Sequence, residues 1–300
     1  MYSKHTQIFG ILGYPLGHTL SPWIHNNLFA FSKFDGVYLV FEKENWKETG
    51  LKPLLDLNVK GVSVTIPFKE WAFTQANSVC KASETMKASN TLVLTQDQIS
   101  AHNTDGEGAL RSILESDSRL LKPQDPSSIL ILGSGGSAKG ILFSLAEYLK
   151  EKSKSLPSDQ IKKKIKILAR NQTAIQEIID SLQAEDLILP ITKEETMDSK
   201  KDISLVVHTT PLGMKGVGGE PLLDKNFFHK NCTLFDIVYN PLETSLVKEA
   251  KKAKSKIIPG YSMLLYQGIR QFEIFTGITP KDKWIRKLDS ILLKELKKRN

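Results

Sequence analysis

Near the middle of the chain, Ser128-Ile-Leu-Ile-Leu132 runs into Gly133-Ser-Gly-Gly136 and then into Ser137-Ala-Lys-Gly-Ile-Leu142. An apolar run that stops at glycines and resumes as an apolar helical pattern reads as strand, tight loop and helix. That is the opening of a nucleotide-binding βαβ unit. The glycines let the backbone turn sharply and let a diphosphate come close. The helix start offers free N–H groups and the positive end of its dipole. A tight turn with no ligand gives the same local pattern, so the position of the loop is the stronger constraint. The whole stretch 1–127 precedes it. A dinucleotide domain that opened the chain would leave no room for that stretch, so another domain comes first, and we expect it to hold the substrate.

The 300 residues, 40% of them hydrophobic, are enough for two packed domains. Lys and Arg number 41 against 33 Asp and Glu, a net charge of +8 that favours anionic ligands. The densest basic stretch, Lys150 to Lys166, has no interleaved aromatics and reads as a solvated helix end and loop, which argues against nucleic acid. Cys80 and Cys232 are too few and too far apart for a disulfide framework or a metal cluster, so no metal is expected. They read as core or incidental thiols in a reducing compartment. The N-terminus lacks an apolar signal core, and no apolar run is long enough to span a bilayer. The expectation is a soluble, cytoplasmic protein with no membrane partner.

Strand and helix patterns alternate. Strands are predicted at 7–12, 37–41, 61–66, 91–94, 129–132, 165–169, 204–207 and 233–237. Helices are predicted from Ser21, at 46–57, from Asp105, at 136–149, and at about 243–253, 261–275 and 282–297. Ser21 is expected to cap its helix with Pro22 at the first helical position. Glu151–Lys164 reads as a polar surface insertion. Ile285, Leu288, Ile291, Leu292 and Leu296 recur at helical spacing and read as core. This alternation predicts an α/β fold with mainly parallel sheets.

Three positions suggest chemistry. The predicted second strand of the nucleotide unit ends in Arg170-Asn171 with no acidic residue. An acidic side chain there would bind a ribose 2′-OH, whereas an arginine suits a 2′-phosphate, so NADP is favoured over NAD. Lys69 follows a strand that Pro67 terminates, and Asp105 begins a helix. Facing each other, they would make a proton-transfer pair for alcohol oxidation, the amine taking the hydroxyl proton and the carboxylate orienting it. From spacing alone, a surface lysine at a helix start and a helix cap explain them better.

Several blocks together resemble the shikimate dehydrogenase family. They are Gly13-Tyr-Pro-Leu-Gly-His-Thr19-Leu-Ser21-Pro-Trp-Ile-His-Asn26, Val64-Thr-Ile-Pro-Phe-Lys69, Asn90-Thr91, Asn103-Thr-Asp105-Gly106, Leu132-Gly-Ser-Gly-Gly-Ser-Ala138, Asp236-Ile-Val-Tyr-Asn-Pro241 and Gly260-Tyr-Ser-Met-Leu-Leu-Tyr-Gln267-Gly268. They stand in family order from Gln7 to about Gly277. The resemblance implies an α/β fold of two domains. Residues 1–105, completed by the C-terminal helices 242–300, would bind substrate. Residues 106–241 would form the Rossmann-like NADP-binding domain, with substrate in the cleft between. It implies Lys69 and Asp105 as the catalytic pair. Thr19 and Ser21 would hold the substrate carboxylate, and Thr65, Asn90, Tyr239 and Gln267 would contact ring hydroxyls or carboxylate. Gly133, Ser134, Gly135, Gly136, Ser137 and Ala138 would form the diphosphate loop, Arg170 the 2′-phosphate contact, and Met214 and Gly260 the surroundings of the nicotinamide.

The implied activity is reversible NADPH-linked reduction of 3-dehydroshikimate to shikimate, in aromatic amino-acid biosynthesis, by a monomer or homodimer. A quinate/shikimate dehydrogenase is the nearest alternative, and a catalytically silent NADP sensor a remote one. This chain departs from the family pattern at several places. Thr19 replaces the usual Ser, and Ala174 stands where a second basic residue often follows Arg170. His208-Thr-Thr210 replaces Asn-Ala-Thr/Ser, with His208 read as a cap on the strand end. Phe275 replaces a Trp.

Overall fold

The computed structural model describes residues 3–17 and 19–299, so His18 of the N-terminal block lies outside the described residues. The chain opens with β1 (Gln7–Gly13), α1 (Ser21–Ser32), β2 (Gly36–Glu42), α2 (Trp46–Thr49), α3 (Lys52–Asp56), β3 (Val59–Val64) and α4 (Lys69–Thr74). It continues through β4 (Ser78–Val79), α5 (Lys81–Met86), β5 (Thr91–Leu94), β6 (Ile99–His102) and α6 (Asp105–Asp117). Next come β7 (Ser128–Leu132), α7 (Gly136–Ser153), β8 (Lys164–Leu168), α8 (Gln172–Leu182), β9 (Ile188–Pro190), α9 (Lys193–Asp198) and β10 (Ile203–His208). Last are β11 (Thr233–Asp236), α10 (Ser245–Lys252), β12 (Lys256–Ile258), α11 (Tyr261–Thr276) and α12 (Asp282–Arg299). Two compact units result, one from Met1–Gly108 and Leu265–Glu295, the other from Ala109–Leu264 and Leu296–Asn300. Among the described residues, no helix is long and apolar enough to cross a membrane.

In the first unit six strands lie in the order β2-β1-β3-β5-β6-β4. The pairs of β1 with β2 and β3 are parallel, as predicted, but β5 runs antiparallel to both β3 and β6. Only Thr95–Gln98 joins β5 to β6, closed by the Thr95 N–H on the Gln98 carbonyl at 2.9 Å. A link that short cannot cross over, so the pair must be antiparallel. One core layer packs Leu12, Val62, Val64 and Leu92 against Trp46, Leu54 and Phe68. An aromatic cluster of Phe9, Phe29 and Phe275 forms another, with Phe9 and Phe275 centroids 5.2 Å apart.

The second unit carries six parallel strands in the order β12-β11-β10-β7-β8-β9. Counted from β7, this is the doubly wound order, and the chain reverses direction across the sheet between β7 and β10. Every residue of β7 is buried, as expected of a strand covered on both faces. Its side chains alternate. Ile129 and Ile131 join α7 and α8 in one core, and Leu130 and Leu132 join α10 and Phe227 in the other.

Four local expectations are corrected. The helix predicted at 46–57 is two short helices, because Gly50 takes φ +71° after α2 and Pro53 opens α3. Ser21 does not cap α1; Leu20 occupies the cap position, and Ser21 is the first helical residue beside Pro22. Within the stretch read as a polar surface insertion, α7 runs on to Ser153 and Lys163 is buried. Its ammonium donates to Ser127 Oγ at 2.8 Å. Residues 242–264, expected with the first domain, belong to the second unit, because β12 pairs with β11 and Leu246, Val247 and Ala250 of α10 pack beneath β7.

Candidate active site

Lys69 and Asp105 meet in the first unit. After β3 the chain turns through Thr65–Phe68, with the Phe68 N–H on the Thr65 carbonyl at 3.0 Å, and α4 starts at Lys69. The Lys69 carbonyl accepts the Ser89 N–H at 2.9 Å, which sets Ser89-Asn90 beside it. Asp105 starts α6 just beyond β6, its N–H on Asn103 Oδ1 at 3.2 Å. The Lys69 ammonium donates to Asp105 Oδ2 at 2.5 Å, the lysine side chain 32% and the carboxylate 16% exposed.

The other carboxylate oxygen, Oδ1, accepts from Asn90 Nδ2 at 2.9 Å. Asn90 is buried, and its orientation follows from its neighbours. Its Oδ1 accepts the Thr104 N–H at 2.9 Å and the Thr91 hydroxyl at 2.8 Å, so only the amide nitrogen can face the carboxylate. Gln267 Oε1 lies 3.4 Å from the same nitrogen. Behind Asn90, Gln271 Nε2 donates to the Asn90 carbonyl at 3.1 Å and to Thr91 Oγ1 at 3.0 Å. Its Oε1 accepts the Ser63 hydroxyl at 2.8 Å and faces His25 Nε2 at 3.4 Å.

Withdrawing an ion pair from water costs more than its attraction returns unless further hydrogen bonds complete it. Asn90 supplies one here, and Gln271 braces Asn90, so the pair is held at one geometry ready for proton transfer. Sequence reading passed over Gln271 and His25. Polar residues on helices carry no local signal of a partner nearly two hundred residues away. Burial holds the His25 imidazole down at about 3, against the hydrogen bond with Gln271. Nearby, Cys80 caps α5 and takes the Ser83 N–H on its sulfur. Burial pushes its thiol up, but hydrogen bonds with His102 and Ser83 draw it down to about 6.

The remaining substrate candidates are spread over both units. Thr19 Oγ1 accepts the Ser21 N–H at 3.3 Å, leaving its own O–H free to donate, and Ser21 is 6% exposed. Thr65 is half-buried at the end of β3, its N–H on the Leu12 carbonyl at 3.1 Å. Gln267 lies on α11 beside Asn90. Tyr239 lies in the second unit, after β11.

In the second unit, the cofactor candidates follow β7. Gly133 has φ +113°, and a Cβ there would lie 2.7 Å from Thr209 Oγ1, so a side chain would be both strained and crowded. A Cβ on Gly135 or Gly136 would meet nothing within 4 Å. Gly135, at the cap position of α7, has no side chain to cap the helix, and the first N–H groups of a helix have no partner within it. Ser134 and Ser137 are half-buried beside the opening. Ala138 is buried in the core, so only its backbone can serve a ligand. A diphosphate fits this cradle. Arg170 is exposed directly after β8, where Asn171 caps α8 by accepting the Ala174 N–H at 3.0 Å. Met214 is 43% exposed. Gly260 has an internal reason to be glycine: a Cβ would lie 2.4 Å from the Val238 carbonyl oxygen. A groove of about 580 Å³ opens at the opposite end of the strands, lined by Ser127, Lys200, His229 and neighbours, and none of the candidate residues lines it.

The shikimate dehydrogenase substrate binding domain model matches residues 11–92, and the shikimate 5'-dehydrogenase C-terminal domain model matches residues 260–287. The chain is 46% identical to a shikimate dehydrogenase (NADP(+)) of Leptospira interrogans, over 99% of this chain and 98% of that one. Among solved structures, a shikimate dehydrogenase in complex with NADP+ superposes with TM-score 0.80 at 28% identity, covering 96% of each chain. A shikimate 5-dehydrogenase of Listeria monocytogenes, in complex with shikimate and NAD, gives TM-score 0.82 at 25% identity over 97% of this chain and 98% of that one.

Proposed function

The chain belongs to the shikimate dehydrogenase family, and we propose that it catalyses the reversible NADPH-linked reduction of 3-dehydroshikimate to shikimate. The observation that carries this reading is the Lys69–Asp105 pair, braced through Asn90. The relatives named for NADP and the glycine cradle after β7 support the cofactor. On this reading the first unit binds substrate and the second binds NADP.

Thr19 and Ser21 would donate their hydroxyls to the substrate carboxylate, which neutral donors can hold without a salt bridge. Thr65, Gln267 and Tyr239 would meet the carboxylate or ring hydroxyls. Asn90 holds Asp105 and so sets where the ring can sit. The N–H groups of Gly135 to Ala138 would hold the diphosphate, and Arg170 the 2′-phosphate. NADPH supplies the hydride for C3. The Lys69 ammonium gives the proton that the C3 oxygen gains, and Asp105 keeps that ammonium aligned. In the oxidising direction Lys69 receives the hydroxyl proton.

A steady-state assay with shikimate or quinate, each with NADP+ or NAD+, tests the reading. Turnover confined to shikimate and NADP+ is expected. Comparable turnover with quinate or NAD+ would replace it with a broader quinate/shikimate dehydrogenase. No turnover with any pair would leave a cofactor-binding protein.

A further inference from the structure

At the ends of β10 and β11, the buried His208 and Asp236 and the half-buried Thr210 form a chain of hydrogen bonds. His208 Nδ1 lies 3.0 Å from Asp236 Oδ1, both side chains 1% exposed. His208 Nε2 lies 2.6 Å from Thr210 Oγ1. Asp236 also accepts the Val238 N–H at 3.1 Å and the Thr244 hydroxyl at 2.6 Å. A carboxylate with those partners can only accept, so His208 Nδ1 carries a proton, and in the neutral imidazole Nε2 then accepts from the Thr210 hydroxyl. Thr210 Oγ1 in turn lies 3.4 Å from the Leu212 N–H. The hydroxyl rotor of Thr210 therefore has one orientation.

This chain of bonds ends at the cofactor cradle. The Thr209 N–H and hydroxyl both donate to the Leu132 carbonyl, at 3.0 and 2.7 Å. A Cβ built on Gly133 would lie 3.0 Å from Thr210 Cγ2. So Thr209 and Thr210 form the wall against which the first glycine of the loop turns. The loops after β7 and β10 flank the point where strand order reverses, where doubly wound sheets bind ligands.

We propose that His208 is a positioning residue for the cofactor. Pinned by Asp236, it fixes Thr210, and through Thr210 it fixes the wall beside Gly133 and the course of the loop toward Met214. It touches neither substrate nor reacting atoms. The inference rests on the NADP reading of the cradle. It assigns this role to a residue that the sequence suggests only as a strand-end cap.

The test is calorimetric titration of the full chain with NADP+, alongside steady-state KM for shikimate. In His208→Asn the amide can still reach Asp236 but not Thr210. Thr210→Val removes the hydroxyl from the other side. Each should weaken NADP+ binding roughly tenfold, the worth of one buried hydrogen bond, with shikimate KM at saturating NADP+ within about twofold. Because both changes break one bond, the double variant should bind no more weakly than either single. Thr210→Ser, which keeps the hydroxyl, should restore wild-type binding. Unchanged NADP+ affinity in folded variants, even with a lowered melting temperature, would overturn the proposal, as would losses that simply add. If His208→Asn fails to fold, the half-buried loop variants Thr210→Val and Thr210→Ser decide it by the same contrast. Wild-type protein that binds no NADP+ would sink the cofactor reading instead.

Discussion

The two candidate sites are built from different materials. In the first unit the proposed working groups are side chains, Lys69 and Asp105, held by other side chains through Asn90 and Gln271. In the second unit the proposed working groups are backbone N–H groups at the start of α7, and the proposal depends on the absence of side chains at Gly133, Gly135 and Gly136. Polar side chains specify a site by what they donate. A glycine loop specifies one by what it leaves empty. Removing atoms should therefore damage the first site, and adding them should damage the second.

The largest break should come from Lys69→Ala. The kcat should fall by roughly two to four orders of magnitude while NADP+ affinity by titration stays put. An unchanged kcat would remove Lys69 from the mechanism.

Adding one methyl at two glycines sharpens the other side of the comparison. Gly133→Ala places a Cβ at φ +113° and against Thr209. It should cost about 1–3 kcal/mol of stability in urea unfolding, besides weakening NADP+. Gly135→Ala has φ −81° and open space around it. Its stability should stay within about 0.5 kcal/mol of wild type, yet NADP+ affinity should fall because the methyl takes diphosphate space. Equal stability losses in the two variants would contradict the contrast.

Arg170→Ala tests the one charged side chain assigned to the diphosphate and 2′-phosphate contacts of the second site. It should raise KM for NADP+ roughly 10- to 100-fold and leave KM for NAD+ nearly unchanged, the worth of a charge-assisted contact. Parallel changes for both cofactors would exclude a 2′-phosphate contact.

An effect on stability alone reports on the neutral end of the first site's network. His25 is buried and its imidazole is held at about 3 rather than 6.5. Below pH 6.5 the unfolded chain takes up a proton that the folded chain refuses. The stability linked to His25 is thus complete above pH 6.5 and declines as pH falls toward 3. The loss is about 2 kcal/mol at pH 5. His25→Phe should show a shallower fall between pH 7 and pH 5 in urea unfolding. An identical fall in both proteins would show that the buried imidazole does not govern it.

Much of this architecture was legible beforehand, where the demand is local. The run Ser128–Leu132 followed by glycines could hardly be anything but a buried strand, a tight turn and a helix start, and that is what forms. Lys69 and Asp105 each sit where a strand hands over to a helix, and both boundaries follow from Pro67 and the polar turn Asn103-Thr104. Other readings failed for equally local reasons. Ser21 looks like a cap but lies one residue inside its helix, and Gly50 with Pro53 splits what periodicity joins.

By itself, then, the sequence determined the alternation of the main strands and helices, the glycine loop after Leu132, and the place of Lys69 and Asp105 where a strand hands over to a helix. Each depends on backbone preferences or residue chemistry within a few positions. Tertiary structure alone decided that β5 turns antiparallel, that 242–264 joins the second unit, that Gln271 braces Asn90, and that His208 finds Asp236. A buried polar group must find its hydrogen-bond partner wherever the fold brings one within about 3 Å. Nothing in the local sequence records which distant residue that will be.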